Sequence, residues 1–179
     1  MRSTFLGILL LIFSMPATTD NLGRHAGGYF GGGGLIWSYV DESVEGSAEG
    51  LGGQLRGGYR FNPFFGFETR FSAGGSGTLE GIEVQLNRAL QFLATLSIPA
   101  SERLRFGGYA GLSAGELEFS SSGFTGREAD TGVSFGSFFE YGDPDGWAFY
   151  GDLGILQWGS VQGTGYMVAG LSVGALYRF

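Results

Sequence analysis

From Ala26 to Phe179 the chain alternates. Large apolar side chains occupy every second position of one segment after another, with small, polar or charged residues between them. A period of two places these classes on opposite faces of an extended strand. A helix would need apolar residues three and four apart. Eight alternating segments follow one another: 26–40, 50–61, 64–73, 81–99, 103–119, 131–141, 147–158 and 166–179. Turn-forming residues separate them, notably Asn62-Pro63, Pro99-Ala100-Ser101-Glu102 and Gly142-Asp143-Pro144-Asp145-Gly146. Short connections after segments two, four and six alternate with longer polar ones after one, three, five and seven. That is the rhythm of an up-and-down membrane barrel, with tight turns on the periplasmic side.

The two faces differ in bulk. In segment two, Leu51, Leu55, Tyr59 and Phe61 oppose Gln54, Arg56 and Arg60; in segment three, Phe65, Phe67 and Phe71 oppose Glu68 and Arg70. Segment four places Ile82, Val84, Leu86, Leu90, Phe92, Ala94, Leu96 and Ile98 on one face, and Glu83, Gln85, Asn87, Gln91 and Thr95 on the other. Arg88 interrupts its apolar face, either at a local bulge or at the level of lipid head groups. A soluble barrel turns its apolar face inward. Eight strands enclose too little space for rows of phenylalanines, so the expectation is the reverse: apolar outward, into lipid. The predicted lumen then holds Arg56, Arg60, Arg70, Arg103, Arg105 and Arg178 against Glu68, Glu83, Glu140 and Asp152. Charges in such a place must be paired. Trp37, Tyr39, Tyr59, Phe61, Tyr141, Trp147, Trp158, Tyr177 and Phe179 fall near segment ends, as interfacial girdles do. The fold expected is all-β, an eight-stranded antiparallel up-and-down transmembrane β-barrel.

The N-terminus, MRSTFLGILLLIFSMPATTD, has one arginine, an apolar stretch from Phe5 to Met15 and then small residues. This is the layout of a secretory signal peptide. It is too short for the ~20 apolar residues of a membrane-spanning helix. The expected division is a signal peptide over 1–21, with cleavage between Ala17 and Leu22, and a barrel domain over 22–179.

Composition excludes several chemistries. The 179 residues contain no cysteine, so there is no disulfide framework, thiolate metal site or cysteine nucleophile. All ten basic residues are arginine and the net charge is −7, which leaves no basic patch for nucleic acid. The single histidine, His25, stands just before the first segment, with no serine or acid near it in sequence to build a triad. The acidic loop residues, among them Asp41, Glu42, Glu116 and Glu128, have no EF-hand spacing. No cofactor and no metal are expected.

The ending, LSVGALYRF, carries Leu171, Val173, Ala175, Tyr177 and Phe179 at alternate positions and stops on phenylalanine. It resembles the C-terminal signature of bacterial outer-membrane proteins, which implies recognition of this strand by the barrel-assembly machinery. GYRFNPFFGFETRF (Gly58 to Phe71), RLRFGGYAGLSAG and SFGSFFEYGDPDGWAFYGD are similar to hairpins of the small eight-stranded outer-membrane barrels, the OmpA-like and opacity-type (porin-family) group. The resemblance spans the mature chain and implies a Gram-negative outer-membrane location. Nothing like a periplasmic peptidoglycan-binding domain follows Phe179, so that anchoring role is not implied. The expected role is structural or surface-interacting, without catalysis, the lumen being plugged by the Arg/Glu network. A narrow channel for small solutes or ions is the alternative, and a lipid A-modifying barrel enzyme a weaker one; a soluble lipocalin-like barrel is the alternative for the fold. Expected partners are outer-membrane lipids, lipopolysaccharide and the assembly machinery, and the barrel is expected to be a monomer.

Overall fold

The structure, a computed structural model, describes residues 26–43, 45–161 and 164–179. The signal peptide expected over 1–21 and His25 lie outside the described residues.

Among the described residues nine strands are formed: β1 (Gly27–Asp41), β2 (Ala48–Arg60), β3 (Phe65–Gly74), β4 (Ser76–Leu79), β5 (Ile82–Pro99), β6 (Leu104–Ser121), β7 (Phe124–Gly142), β8 (Trp147–Val161) and β9 (Thr164–Arg178). β3 and β4 fill one position in the wall. Both pair with β5, and Ser72 opposite Ala89 and Ser76 opposite Gln85 keep a single register across the break at Gly75. Eight strands' worth of sheet therefore close, with β1 pairing antiparallel to both β2 and β9 and β3 to β5. Closure leaves no sheet edge in lipid, the condition a membrane imposes on strands.

The exposed face is apolar, with Leu51, Leu55, Phe67, Phe71, Phe92, Phe106, Leu112, Phe135, Phe139, Phe149, Leu153, Leu171 and Val173 all pointing outward. Gln54, Arg56, Glu68, Arg70, Gln91, Glu140 and Asp152 are buried inside. This inside-out distribution is that of a lipid-facing barrel.

The polar loops expected after segments three, five and seven are mostly strand. β6 runs to Ser121 and β7 begins at Phe124, with Ser121 still opposite Phe124. Val161 likewise lies opposite Thr164. The β4–β5 turn is Glu80-Gly81, with φ of 50° and 83°. Positive φ at both central residues is the hairpin geometry that matches strand twist. Serine, glycine and charged residues mark these stretches as polar, yet continued cross-strand hydrogen bonding extends them as ribbons above the lipid level.

Two irregularities break the alternation. The β5–β6 register shifts between Leu86 and Arg88, which inserts Asn87 as an extra residue. A bulge reverses which parity faces inward. Val84 and Leu86 therefore face the lumen, not lipid, together with Ala89, Gln91 and Leu93 beyond the bulge. Glu83, expected in the lumen, is exposed for the same reason. The second shift lies between Ile155 and Gln157 on β8 and turns both Leu156 and Gln157 inward.

Candidate functional site: the filled lumen

The lumen is stratified. At the short-turn end, which faces the periplasm in barrels of this kind, Tyr29, Arg60, Arg105, Glu140 and Arg178 are buried. Above them Glu68 and Arg70 on β3 meet Arg56 on β2 and Asp152 on β8. Arg56 Nη2 is 2.6 Å from Glu68 Oε2, and Arg56 Nη1 is 3.3 Å from Asp152 Oδ2. Arg70 Nη1 is 3.0 Å from Asp152 Oδ1, and Arg70 Nε also pairs with Glu68. The four side chains form a closed ring of alternating charge that ties the β2–β3 wall to β8. Glu140 takes Arg60 on one side and Arg178 Nη2, at 2.8 Å, on the other.

Each carboxylate thus bridges two guanidiniums, and further donors satisfy Glu68 and Asp152. Tyr29 Oη donates to Glu68 at 2.7 Å, and Ser172 Oγ to Asp152 at 2.8 Å. Three guanidiniums also lie over aromatic faces: Arg56 over Tyr150 at 4.3 Å, Arg60 over Tyr29 at 4.8 Å and Arg70 over Tyr109 at 4.0 Å. A planar guanidinium can accept ring contact on its face while its edge donates to carboxylates. Glycine makes room for one of these rings: a Cβ at Gly136 would stand 2.5 Å from the Tyr109 hydroxyl.

Of the ten lumen charges expected from sequence, the fold brings Arg56, Arg60, Glu68, Arg70, Arg105, Glu140, Asp152 and Arg178 into the interior. Arg105 Nη1 donates to the Pro63 carbonyl at 3.3 Å. Two of the ten lie elsewhere. Glu83 is turned out by the bulge. Arg103 belongs to the turn before β6, where strand alternation has not begun, and its exposed Nε stands 4.0 Å from Asp143.

Above the charges comes an amide and hydroxyl layer. Gln54 donates to Ser72 at 3.1 Å and Gln91 to Ser134, and the Ser172 hydroxyl that donates to Asp152 lies 3.2 Å from Gln54 Oε1. Above that the lumen turns apolar, which the alternation did not lead one to expect. Leu35, Trp37, Tyr39, Leu79, Val84, Leu86, Leu117, Leu156, Tyr166 and Val168 pack into one buried cluster. Trp37 and Tyr39 therefore belong to the interior and not to an interfacial girdle. Glycine opens the space for Trp37: a Cβ at Gly50 would lie 2.7 Å from its ring, and one at Gly74 closer still. The other girdle candidates, Tyr59, Phe61, Tyr141, Trp147, Trp158, Tyr177 and Phe179, do point outward.

Leu171, Val173, Ala175 and Tyr177 share the outer face of β9, beside the seam with β1, and Phe179 follows just past its end, also exposed. Phe30 meets Tyr177 and Phe179 there at 6.2 Å each, and Trp147 meets Tyr177 at 5.4 Å.

The family model described as outer membrane protein beta-barrel domain matches residues 5–179. The chain belongs to this family. Its place is the outer membrane. Among solved structures, Neisserial surface protein A is similar at 14% identity and TM-score 0.68, covering 89% of this chain and 100% of that one. Ail, the attachment invasion locus protein of Yersinia pestis, is similar at 18% identity and TM-score 0.63, covering 86% and 99%. The N-terminal barrel domain of Pseudomonas aeruginosa OprF is similar at 17% identity and TM-score 0.54, covering 84% and 98%. At these identities the likeness is one of fold. No curated protein matches.

Proposed function

We propose that this outer-membrane barrel is closed to solutes, is not a catalyst, and works through its extracellular end as a structural or surface-interacting protein. The carrying observation is the ring of Arg56, Glu68, Arg70 and Asp152, which crosses the lumen between walls remote in sequence with carboxylates bridged on both sides. A pore would need those pairs to open in a place where an unpaired charge costs several kcal/mol. The apolar cluster above supports the same reading, because it fills the lumen over the ring with buried, mostly apolar side chains. Against catalysis stands the chemistry of the interior: the carboxylates of Glu68, Glu140 and Asp152 are committed to arginines, and no imidazole stands beside the buried serines among the described residues.

Outer-membrane lipids and lipopolysaccharide would contact the apolar belt and its rim. The outward row ending at Phe179 would be the surface offered to the assembly machinery, and the barrel would act as a monomer. The test is single-channel recording of the mature protein refolded into a planar bilayer, with a heat-modifiable band as the check on folding. Silence is expected. Reproducible small openings from folded protein would replace this reading with a narrow channel whose charge ring rearranges.

A further inference from the structure

We infer that the extracellular mouth of the lumen is a cup for a small organic cation with an apolar body, an alkyl- or aryl-ammonium. This deepens the surface-interaction reading and rests on it for the side from which ligand arrives.

Tyr39, Leu79, Val84 and Phe119 line a cavity of about 270 Å³ at the hairpin end, and Asp41, Glu80 and Glu128 stand around it. The volume suits a small molecule and not a folded partner. Its walls are aromatic as well as aliphatic: Tyr39 meets Phe119 edge-on at 5.8 Å, and Tyr166, outside the lining, backs Tyr39 at 6.0 Å. Ring faces attract ammonium groups, most strongly where water is excluded. Below the cavity lies the apolar cluster, so an apolar body entering here meets dry surface.

The charge is one-sided. The two arginines at this level, Arg88 and Arg127, are exposed and committed outside the cup, to Glu116 at 2.6 Å and Glu118 at 2.7 Å. No ion pair neutralises Asp41, Glu80 or Glu128 among the described residues. Asp130 adds to the negative side, accepting from the Tyr166 hydroxyl at 3.2 Å. The Ser43 hydroxyl holds the Asp41 carboxyl below the ordinary carboxylate range, so it stays ionised. The tyrosines feel the same field: burial, with Asp41 beside Tyr39 and Asp130 beside Tyr166, pushes both phenols up and keeps them neutral. No three of the described carboxylates converge closely enough to hold a metal ion. Spread negative charge around an apolar floor fits a bulky organic cation better than a compact divalent one.

The experiment uses the mature protein in phosphatidylcholine nanodiscs, whose lipid carries no net charge. Phenethylammonium is titrated by calorimetry against its neutral counterpart, 2-phenylethanol. Saturable binding is expected for the cation, about tenfold tighter than for the alcohol. Glu128→Gln should weaken it severalfold and the Asp41→Asn, Glu128→Gln pair about tenfold. Glu102→Gln, in the turn at the opposite end, should leave it unchanged. Phe119→Ala should weaken cation and alcohol together. Equal affinity for cation and alcohol, indifference to the Asp41/Glu128 pair in folded protein, or magnesium competing as well as a second organic ammonium would overturn the cup. The two readings fail separately: silent bilayers without ligand binding remove the cup alone, and channel openings with intact binding remove the closed barrel alone.

Discussion

Glu68 carries the heaviest local demand in the molecule. Its side chain is fully buried and takes Tyr29, Arg56 and Arg70 on two oxygens. Glu68→Gln keeps the volume but removes the charge, so Arg70 would depend on Asp152 alone and Arg56 on Asp152 and the more distant Glu140, 4.0 Å away. Breaking a buried pair from one side typically costs about 3–5 kcal/mol, because the remaining charge stays desolvated. Urea unfolding of the protein in lipid vesicles should show a loss of that size for Glu68→Gln. Glu118→Gln, which frees only the exposed Arg127, should cost no more than about 1 kcal/mol. Equal losses would mean that the ring contributes no more than a surface pair. Glu68 could be placed from sequence because Phe67 and Phe71 flank it at the right parity. Trp37 could not. An aromatic near a strand end fits a girdle and an interior equally well. What decides is the absence of side chains at Gly50 and Gly74, which lie on β2 and β3 and become neighbours of Trp37 only once β1, β2 and β3 pair in register.

Strands that alternate strictly could be placed from sequence on the correct face: β2, β3, β6 and β9 need no correction within their membrane-crossing parts. β5 does, because one inserted residue exchanges inside for outside and leaves composition untouched. The interruption of the apolar face at Arg88 was the visible trace of the β5 bulge, but Val84 and Leu86 carried no mark that they had changed sides. Arg88 stays outward and pairs across the strand with Glu116, which also accepts from Asn87. The Arg88 guanidinium, and then the Asn87 amide, hold the Glu116 carboxyl below its ordinary range. A depressed carboxylate adds to stability above its unfolded-state pKa, and that contribution is lost as pH falls through the folded-state value. The hairpin pairing should therefore survive acidification through the usual glutamate range and fail only below it. In Arg88→Ala the Glu116 carboxyl should titrate closer to that range. Carbon-detected NMR titration of the Glu116 carboxyl in wild type and variant checks this; identical midpoints would show that the cross-strand pair exerts no hold.

At the scale of the whole molecule, the barrel is polarised along its axis. Arginines gather at the short-turn end, amides and the charge ring fill the middle, and apolar side chains with an acidic rim close the other end. The outer surface supports the same axis. On β6 the outward residues stay apolar or small from Phe106 to Ala114 and turn acidic at Glu116 and Glu118. That run is close to the ~9–11 residues a tilted strand needs to cross a bilayer. β6 and β7 continue past it to the turn beside Gly123, whose φ of 95° suits glycine at an exposed tip. The length of these ribbons was hidden in sequence, because polar strand above a membrane has the composition of loop. If the short turns face the periplasm, an epitope inserted at Gly123 should be labelled by antibody on intact cells. The same epitope between Asp143 and Pro144 should be labelled only after the outer membrane is permeabilised. The reverse pattern would invert the barrel and turn the acidic cup toward the periplasm. Labelling at both sites on intact cells, with folding intact, would mean that the ribbon at Gly123 and the turn at Asp143 are not held on opposite sides of the membrane. The axis then fixes which surroundings meet which chemistry: outside, an acidic rim over an aromatic cup; inside, arginines sharing a single buried carboxylate, Glu140.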